Sequence, residues 1–430
     1  MAPTRSTRRS LFNSLPRHQA PLRIMDATTM PPAFHNEDAL LKTPLEYDSD
    51  TDASSTDGDA LCLPAADAAR LQALYETVSE RSEHLVGFPS CKDWDYSALY
   101  PFLSFPMNNV GDPYIESISK VSTRDCERDV LSFFASLLRA PVDDVWGYVT
   151  NGGTEGNLYG MYLARELYPN GIVYYSQSTH YSVVKNLHIL RQTSCEVRVQ
   201  ANGEMDYDHF AELAAAHADV PAIVFCNIGT TMTEAKDDMA AITTILDDLA
   251  ISDRYLHADA ALCGVMSPFV EPRPAFDFAD GAQSISISGH KFLGSPIPCG
   301  VVLAKKHLVE KIKRDVAYIG APDTTITGSR NAFTPLLLWY RVQSLGIDGL
   351  QKRVQIALEN AAYAEAKLKA LGVAAWRNEN AITVVFPEVA HELQIKWQLA
   401  TAKGISHLIC MPNVTKTQID AILADFACYL

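Results

Sequence analysis

The sequence predicts an α/β protein: a sheet covered on both faces, followed by a second, smaller α+β domain. Two patterns predict it. Between about residues 145 and 304, short apolar runs alternate with segments of helical period, the arrangement of a sheet whose strands are buried on both sides. After about Leu308 the pattern turns to long helical stretches with one apolar run and a closing helix. With 430 residues, 47% of them hydrophobic, the chain has length for two or three domains and a large core in one of them.

The elements follow in order. Ala65–Leu85 has Leu71, Leu74 and Val78 at helical spacing; Gly87–Tyr114 is loop-rich, with Tyr96, Tyr100, Phe102, Phe105, Asn108 and Asn109; Glu116–Leu138 again has helical period. The alternation then runs Val145–Val149 (strand), Thr154–Leu167 (helix), Gly171–Tyr175 (strand), Tyr181–Leu190 (helix) and Ala222–Asn227 (strand). It continues with Met239–Ile251 (helix) and three strands, Tyr255–Ala258, Ser284–Ser288 and Val301–Ala304. Helical patterns at Pro335–Leu345 and Gln351–Leu371, a strand at Ala381–Phe386 and a helix at Lys416–Phe426 make the second domain. No internal repeat is visible.

The first 60 residues have a different composition. Arg5, Arg8, Arg9, Arg17 and Arg23 stand in a stretch without acids, and Glu37 to Asp59 is acidic and rich in Ser and Thr. Such a segment has too little apolar surface to offset ordering entropy and is expected to be disordered. An Arg-rich, acid-free start also fits an organellar transit peptide. The plainer readings, preferred here, are a solvated tail or a start codon placed ahead of Met25 or Met30. The net charge of −15 argues against nucleic acid, which needs a basic footprint, but leaves small anions open, since a cofactor phosphate is held by a few local groups. No apolar run reaches the roughly 18–20 residues that span a bilayer. Nine cysteines without a C-x-x-C pair read as reduced thiols of a cytoplasmic protein, not as disulfides or a metal site.

Four segments carry chemistry, each at a predicted strand end. Thr150 to Asn157 is a glycine turn opening a helix, suited to an anion but equally to an ordinary N-cap. His180 follows a strand, where α/β sheets place ligands and an imidazole can stack on a flat ring; a lone histidine is also a common cap. Asp259 ends an apolar run, a costly place for a carboxylate without a charged partner, with a helix cap as the competing reading. Lys291 lies among small and apolar residues, where desolvation disfavours the ammonium form and frees a nucleophilic amine; a surface lysine in a Gly/Pro loop is the alternative. Lys291 follows Asp259 by 32 residues. Phosphate seat, stacking imidazole, acid and amine together are the parts that bind pyridoxal phosphate.

These segments resemble the group II pyridoxal-phosphate-dependent amino-acid decarboxylases, within them the bacterial histidine decarboxylases and the plant serine/histidine branch. The resemblance runs from about Gly87 to Phe426 and rests on TNGGTEGN at 150–157, STHYS at 178–182, NIGTT at 227–231, HADAA at 257–261, SGHK at 288–291, GSR at 328–330 and ITVVF at 382–386. It implies a type I, aspartate-aminotransferase-like fold with a mixed, mostly parallel seven-stranded sheet. It also implies a homodimer or dimer of dimers with the active site at the interface, and an amino-acid substrate. The implied organisation is a disordered 1–60, a 61–140 segment with dimer and substrate-lid contacts, a cofactor-binding domain at 141–307, and a mobile loop with small domain at 308–430.

By matched position, Lys291 resembles the internal-aldimine lysine, Asp259 the partner of the pyridine nitrogen, His180 the stacked imidazole and Ala261 the contact on the ring's other face. Gly153, Thr154, Ser288 and His290 resemble the phosphate seat, and Thr230 lies near the phenolic oxygen or the substrate carboxylate. Tyr318 resembles the mobile-loop tyrosine that protonates the quinonoid carbon. His180, Asn109 and Arg330 are the substrate-binding candidates, with Arg330 alternatively a structural ion-pair partner. One departure stands out. Relatives in this branch often read Gly-Ser-Arg-Asn-Gly-His, where this chain has Ala332 and Phe333 in the last two places, a change that bears on substrate identity and not on cofactor binding. The implied activity is decarboxylation of L-histidine to histamine through an external aldimine. Serine decarboxylation to ethanolamine is the runner-up, and another type I lyase or transaminase the rival chemistry. A regulatory protein that has lost catalysis is disfavoured by the intact Lys291, Asp259 and His180.

Overall fold

The computed structural model describes residues 63–428. Helix α1 (Ala65–Ser82) buries none of its side chains and leaves Leu71, Leu74, Tyr75 and Val78 exposed. The loop-rich stretch contains a short 3-10 turn at Ser97–Ser104. Helix α2 (Arg124–Leu137) begins later than Glu116, where the sequence pattern starts it. The reason is local: Asp112 Oδ1 accepts from Tyr114 N and Ser117 Oγ from Ser119 N, so turns compete with the helix for the same backbone groups.

The alternating region is β1 (Trp146–Thr150), α3 (Gly153–Leu167), β2 (Ile172–Ser176), α4 (Ser182–Leu190), β3 (Ser194–Val197), α5 (Tyr207–Ala215) and β4 (Ala222–Asn227). It continues with α6 (Met239–Asp248), β5 (Arg254–Asp259), β6 (Ser284–Ser288), β7 (Gly300–Ala304) and the short α7 (Lys306–Val309). Among the described residues, seven strands form one sheet in the order β1-β7-β6-β5-β4-β2-β3. β7 runs antiparallel to both its neighbours and the remaining pairs are parallel. The sheet is thus seven-stranded, mixed and mostly parallel, as expected. β3 and α5 are additional to the elements read from the sequence. β3 is an edge strand with a largely exposed pattern, so it lacks the apolar run that marks its neighbours.

Both faces of the sheet are buried, and β4 shows why its residues are apolar without alternation. Ala222, Val224 and Cys226 enter the core on one face, while Ile223 and Phe225 enter the core on the other, with Tyr148, Tyr159 and Tyr255.

Beyond α7, β8 (Arg314–Val316) and β9 (Ala321–Asp323) pair as a hairpin. The two predicted helices of the second domain form α8 (Phe333–Ala370), bent where Gly346 leaves helical geometry at φ 59°. β10 (Thr383–Pro387), α9 (His391–Lys396), β11 (Thr401–Ala402), β12 (Ile405–Ile409) and α10 (Lys416–Ala427) complete the small domain, its sheet ordered β10-β12-β11. Among the described residues no helix is long and apolar enough to cross a membrane. The sequence reading of residues 1–60 falls outside the described residues.

Candidate active site

Because β1, β2, β4, β5 and β6 run one way, their carboxyl ends share one edge of the sheet, the edge where open α/β sheets bind ligands. Thr150, Ser176, Asn227, Asp259 and Ser288 are the last residues of those strands. Asn227 lies beside Asp259 in register, and Ser288 and Thr150 both pair with Gly300 of β7. All four chemistry-bearing segments therefore converge on one edge.

Asp259 is buried, and each of its oxygens accepts one hydrogen bond. Its Oδ2 accepts from Asn157 Nδ2 at 2.8 Å and its Oδ1 from Ala261 N at 3.2 Å. The second bond turns the chain sharply, so that Ala261 lies beside the α3 N-terminus: a Cβ added at Gly153 would sit 3.6 Å from Ala261 Cβ and 2.9 Å from Ser288 Oγ. Ser288 N in turn donates to Ala261 O at 3.1 Å.

The glycine turn makes a cradle. Gly152 has φ 131°, a conformation closed to other residues at low cost, and it starts α3 with its carbonyl accepting from Gly156 N at 3.2 Å. The N–H groups of the first helical turn have no intrahelical acceptor and sit at the positive end of the helix dipole. The His290 ring borders the same turn, 3.8 Å from where a Gly152 Cβ would lie, anchored by Nδ1 at 2.9 Å from Cys299 O. A side chain at 153 would fill the space between Ser288 and Ala261. Backbone donors, hydroxyls and open space of this kind fit a phosphate.

Lys291 follows β6 by three residues. Burial pushes its amine below the ordinary lysine pKa, against the opposing pull of Asp259. His180, after β2, is likewise pushed below the usual histidine value, by burial first, with Asp259 raising it and Lys291 lowering it. Its Nδ1 lies 2.8 Å from Ser182 Oγ and accepts from Ser182 N at 3.3 Å, which fixes the Nε2–H tautomer and the ring plane. Amine, carboxylate and imidazole thus feel one another's charge.

The remaining candidates are engaged in local structure. Thr230 Oγ1 is 2.9 Å from Thr233 Oγ1 and accepts from Ala235 N at 3.0 Å, bracing its own loop after β4. Arg330 and Asn109 form a buried cluster with Glu127. Glu127 accepts from Arg330 Nη1, from Asn109 Nδ2 at 2.9 Å and from Val149 N at 2.9 Å. Arg330 Nη2 donates to Gly111 O at 3.0 Å, so the ion-pair alternative describes its contacts. Tyr318 lies in the short turn Ala317–Ile319, and its side chain is outside the described residues. Phe333, the departure from the branch pattern, packs against the cluster of Tyr96, Leu99, Leu336 and Leu337. Asn157, which holds Asp259, closes the TNGGTEGN segment and has no role in the sequence-based reading; its signal there is its place one turn into the helix that opens with the phosphate turn. Among the described residues no group of three or more His, Cys, Asp or Glu is placed to hold a metal.

A strand-end lysine with a suppressed pKa, a buried acid, an imidazole and a phosphate cradle on an α/β sheet define a pyridoxal-phosphate-dependent enzyme. The chain matches the pyridoxal-dependent decarboxylase conserved domain over residues 161–387. It is 51% identical over 361 residues to the histidine decarboxylase of Mesorhizobium japonicum, covering 84% of this chain and 98% of that protein. With the histidine decarboxylase of Pseudomonas entomophila it is 45% identical over 368 residues, 85% of this chain and 91% of that one. Its fold superposes on L-methionine decarboxylase from Streptomyces sp. 590 with a TM-score of 0.78 at 27% identity, covering 87% of this chain and 98% of the other. This chain belongs to the pyridoxal-dependent decarboxylases, enzymes of the carboxy-lyase class.

Proposed function

We propose that this protein decarboxylates L-histidine to histamine and carbon dioxide. The observation that carries the reading is the 51% identity to a histidine decarboxylase across 98% of that protein's length. Bound pyridoxal phosphate supplies an electron-withdrawing ring that accepts the charge left at Cα when carbon dioxide departs. In this reading the α3 N-terminus, Thr154, Ser288 and His290 hold the phosphate. Asp259 keeps a proton on the ring nitrogen, because a fixed carboxylate favours the cationic form. His180 and Ala261 hold the ring plane from its two faces. Lys291 presents an amine whose pKa is already lowered by burial, so less free energy is needed to use it as a nucleophile or proton carrier.

The hydroxyl of Tyr318 is the proposed proton donor to Cα, on family resemblance alone, and Thr230 is proposed to lie near the phenolic oxygen or the substrate carboxylate on the same ground. Asn109 and Arg330 are proposed to act on the substrate, Arg330 bracing Gly111 O directly and both holding Glu127, which accepts from Val149 N. The working unit is proposed to be a cytoplasmic homodimer; the exposed apolar residues of α1 support the dimer.

A substrate panel on purified, cofactor-loaded protein tests this. L-Histidine, L-serine, L-aspartate and aromatic amino acids are offered, and amines identified by mass spectrometry, with Lys291→Ala as the blank. Histamine well above every other amine is the expected result. Ethanolamine or another amine in its place overturns the substrate, and no amine from loaded protein overturns the reading for these substrates.

A further inference from the structure

Behind Asp259 a chain of polar side chains crosses the core between α3 and the sheet. Tyr255 OH donates to Ser284 Oγ at 2.8 Å, Ser284 Oγ lies 2.7 Å from His257 Nδ1, His257 Nε2 lies 3.1 Å from Asn157 Oδ1, and Asn157 Nδ2 donates to Asp259 Oδ2 at 2.8 Å. Each linking residue is buried: Tyr255 and Ser284 expose 0%, His257 1% and Asn157 2% of their surface. Phe225 flanks the imidazole at 4.9 Å and belongs to an apolar cluster with Ile223, Val173 and Val302. Burying five polar groups in such a place is costly unless all are paired.

The directions of these bonds follow from one starting condition. An ionised carboxylate only accepts, so the Asn157 amide must turn its NH2 to Asp259 and its oxygen to His257. That oxygen needs a donor, so His257 carries its proton on Nε2. Its bare Nδ1 must then accept, which commits the Ser284 hydroxyl proton and leaves Ser284 Oγ to accept from Tyr255. Burial holds the imidazole neutral, its pKa pushed down to about 3. The fold makes room for the ring: a Cβ at Gly160 would come within 2.2 Å of His257 Nδ1.

We infer that Tyr255, Ser284, His257 and Asn157 form a one-way relay of donors that ends on Asp259 and holds its carboxylate aimed at the cofactor's ring nitrogen. These are positioning residues, and the inference rests on the reading above that Asp259 faces that nitrogen. Without that order of donors the Asn157 amide is free to turn its oxygen towards the carboxylate, which then loses a donor and its aim, and a cation at the ring nitrogen loses support. Asp259 is also faced by Lys291 from beyond β6 and by His180 from beyond β2, and both are left unchanged in the test.

The test loads full-length protein with pyridoxal phosphate carrying 15N at the ring nitrogen and follows its 15N shift with pH. The wild type is expected to show a protonated nitrogen through pH 6–9. His257→Leu, which breaks the relay, is expected to move the loss of that proton about tenfold in proton concentration, about one pH unit, toward acid. His257→Gln, which keeps an amide donor facing Asn157, is expected to restore most of it. A protonated wild-type nitrogen whose titration His257→Leu does not move overturns the inference alone. An unprotonated wild-type nitrogen overturns the reading of Asp259 itself. If His257→Leu does not fold or load, the wild-type tautomer decides. Long-range 1H–15N correlation of the 15N-histidine-labelled protein, with His257 assigned by its loss in His257→Gln, is expected to show Nε2–H and a bare Nδ1. An Nδ1–H form or an imidazolium overturns the relay.

Discussion

At Lys291 two effects oppose each other, and their balance is what makes the residue useful. Desolvation favours the neutral amine, and the negative Asp259 favours the ammonium. Asp259→Asn removes the second effect and leaves the first. The Lys291 pKa should then fall further, while the ring nitrogen loses the partner that keeps it charged. The expected outcome is a loss of kcat of a hundredfold or more with cofactor still bound, measured as amine formed per visible chromophore; a loss under tenfold would speak against the role given to Asp259. His257 supplies a separate, pH-dependent prediction. Its folded pKa near 3 lies below the ordinary 6.5, so the native state disfavours the protonated ring. The resulting stability is fully present above about pH 6.5 and is lost as pH falls from there towards 3, at no more than about 1.4 kcal/mol per pH unit. Urea unfolding at pH 7 and pH 5 should show a drop in the wild type that is smaller in His257→Gln by up to about 2 kcal/mol, that slope taken over the interval below pH 6.5.

At the scale of one element, α3 decides how closely a helix can lie on this sheet. Gly153, Gly156 and Gly160 recur at helical spacing on the side facing β5 and β6. Cβ atoms at 156 and 160 would come within 2.2 Å of Ser286 Oγ and His257 Nδ1 respectively. Alanine at 160 gains about 1 kcal/mol of intrinsic helix propensity, but it drives a methyl into a buried ring held at both nitrogens. Overpacking of that kind costs about 1–3 kcal/mol, so Gly160→Ala is expected to be destabilised, with a lower thermal midpoint than wild type. A rise in midpoint would mean that the ring moves aside freely. The element also shows what is legible in a sequence. The glycine turn, the strand ends and the buried strands announce themselves through local pattern, because both faces of each strand need apolar residues. β3 and β12 do not: the first is a polar edge, and the second, Ile-Ser-His-Leu-Ile, buries Ser406 and His407 among apolar neighbours. Helix α5 had a local signal that sequence reading passed over, Asp206 capping His209 N at 3.0 Å. The relay through His257 was out of reach for another reason. Its members lie up to 127 residues apart in the chain, and only the packing of α3 on β5 and β6 joins them.

At the scale of the whole polypeptide, one buried carboxylate is among the contacts that join the large and small domains, beside those of Asn378 with Thr233 O and His407 with Met232 O, and its own contacts state what should happen when it is changed. Glu234 belongs to the loop that carries Thr230 and is fully buried. Its Oε2 accepts from Ile382 N at 3.0 Å, Thr383 N at 2.8 Å and Thr383 Oγ1 at 2.6 Å, at the start of β10, while Oε1 accepts from Cys263 Sγ at 3.4 Å beyond β5. One side chain thereby joins the small-domain sheet, the loop after β4 and the turn after β5, close to the catalytic edge. Its value lies in acceptor capacity more than in charge, because its nearest cation, Lys236, is 3.9 Å from Oε1. Glu234→Gln can place its one carbonyl oxygen where Oε2 stands and keep all three small-domain bonds, turning its NH2 towards the weakly accepting Cys263 sulfur. Glu234→Ala leaves two buried N–H groups and a hydroxyl without a partner, each costing about 1–3 kcal/mol. Urea denaturation should therefore find Glu234→Gln within about 1–2 kcal/mol of wild type and Glu234→Ala lower by several times that amount. Equal losses in the two variants would show that the charge, and not the acceptor geometry, holds the domains together. If acceptor geometry is what matters, Glu234→Gln should also keep the cofactor's visible band unchanged, because the loop after β4 is still pinned to the small domain.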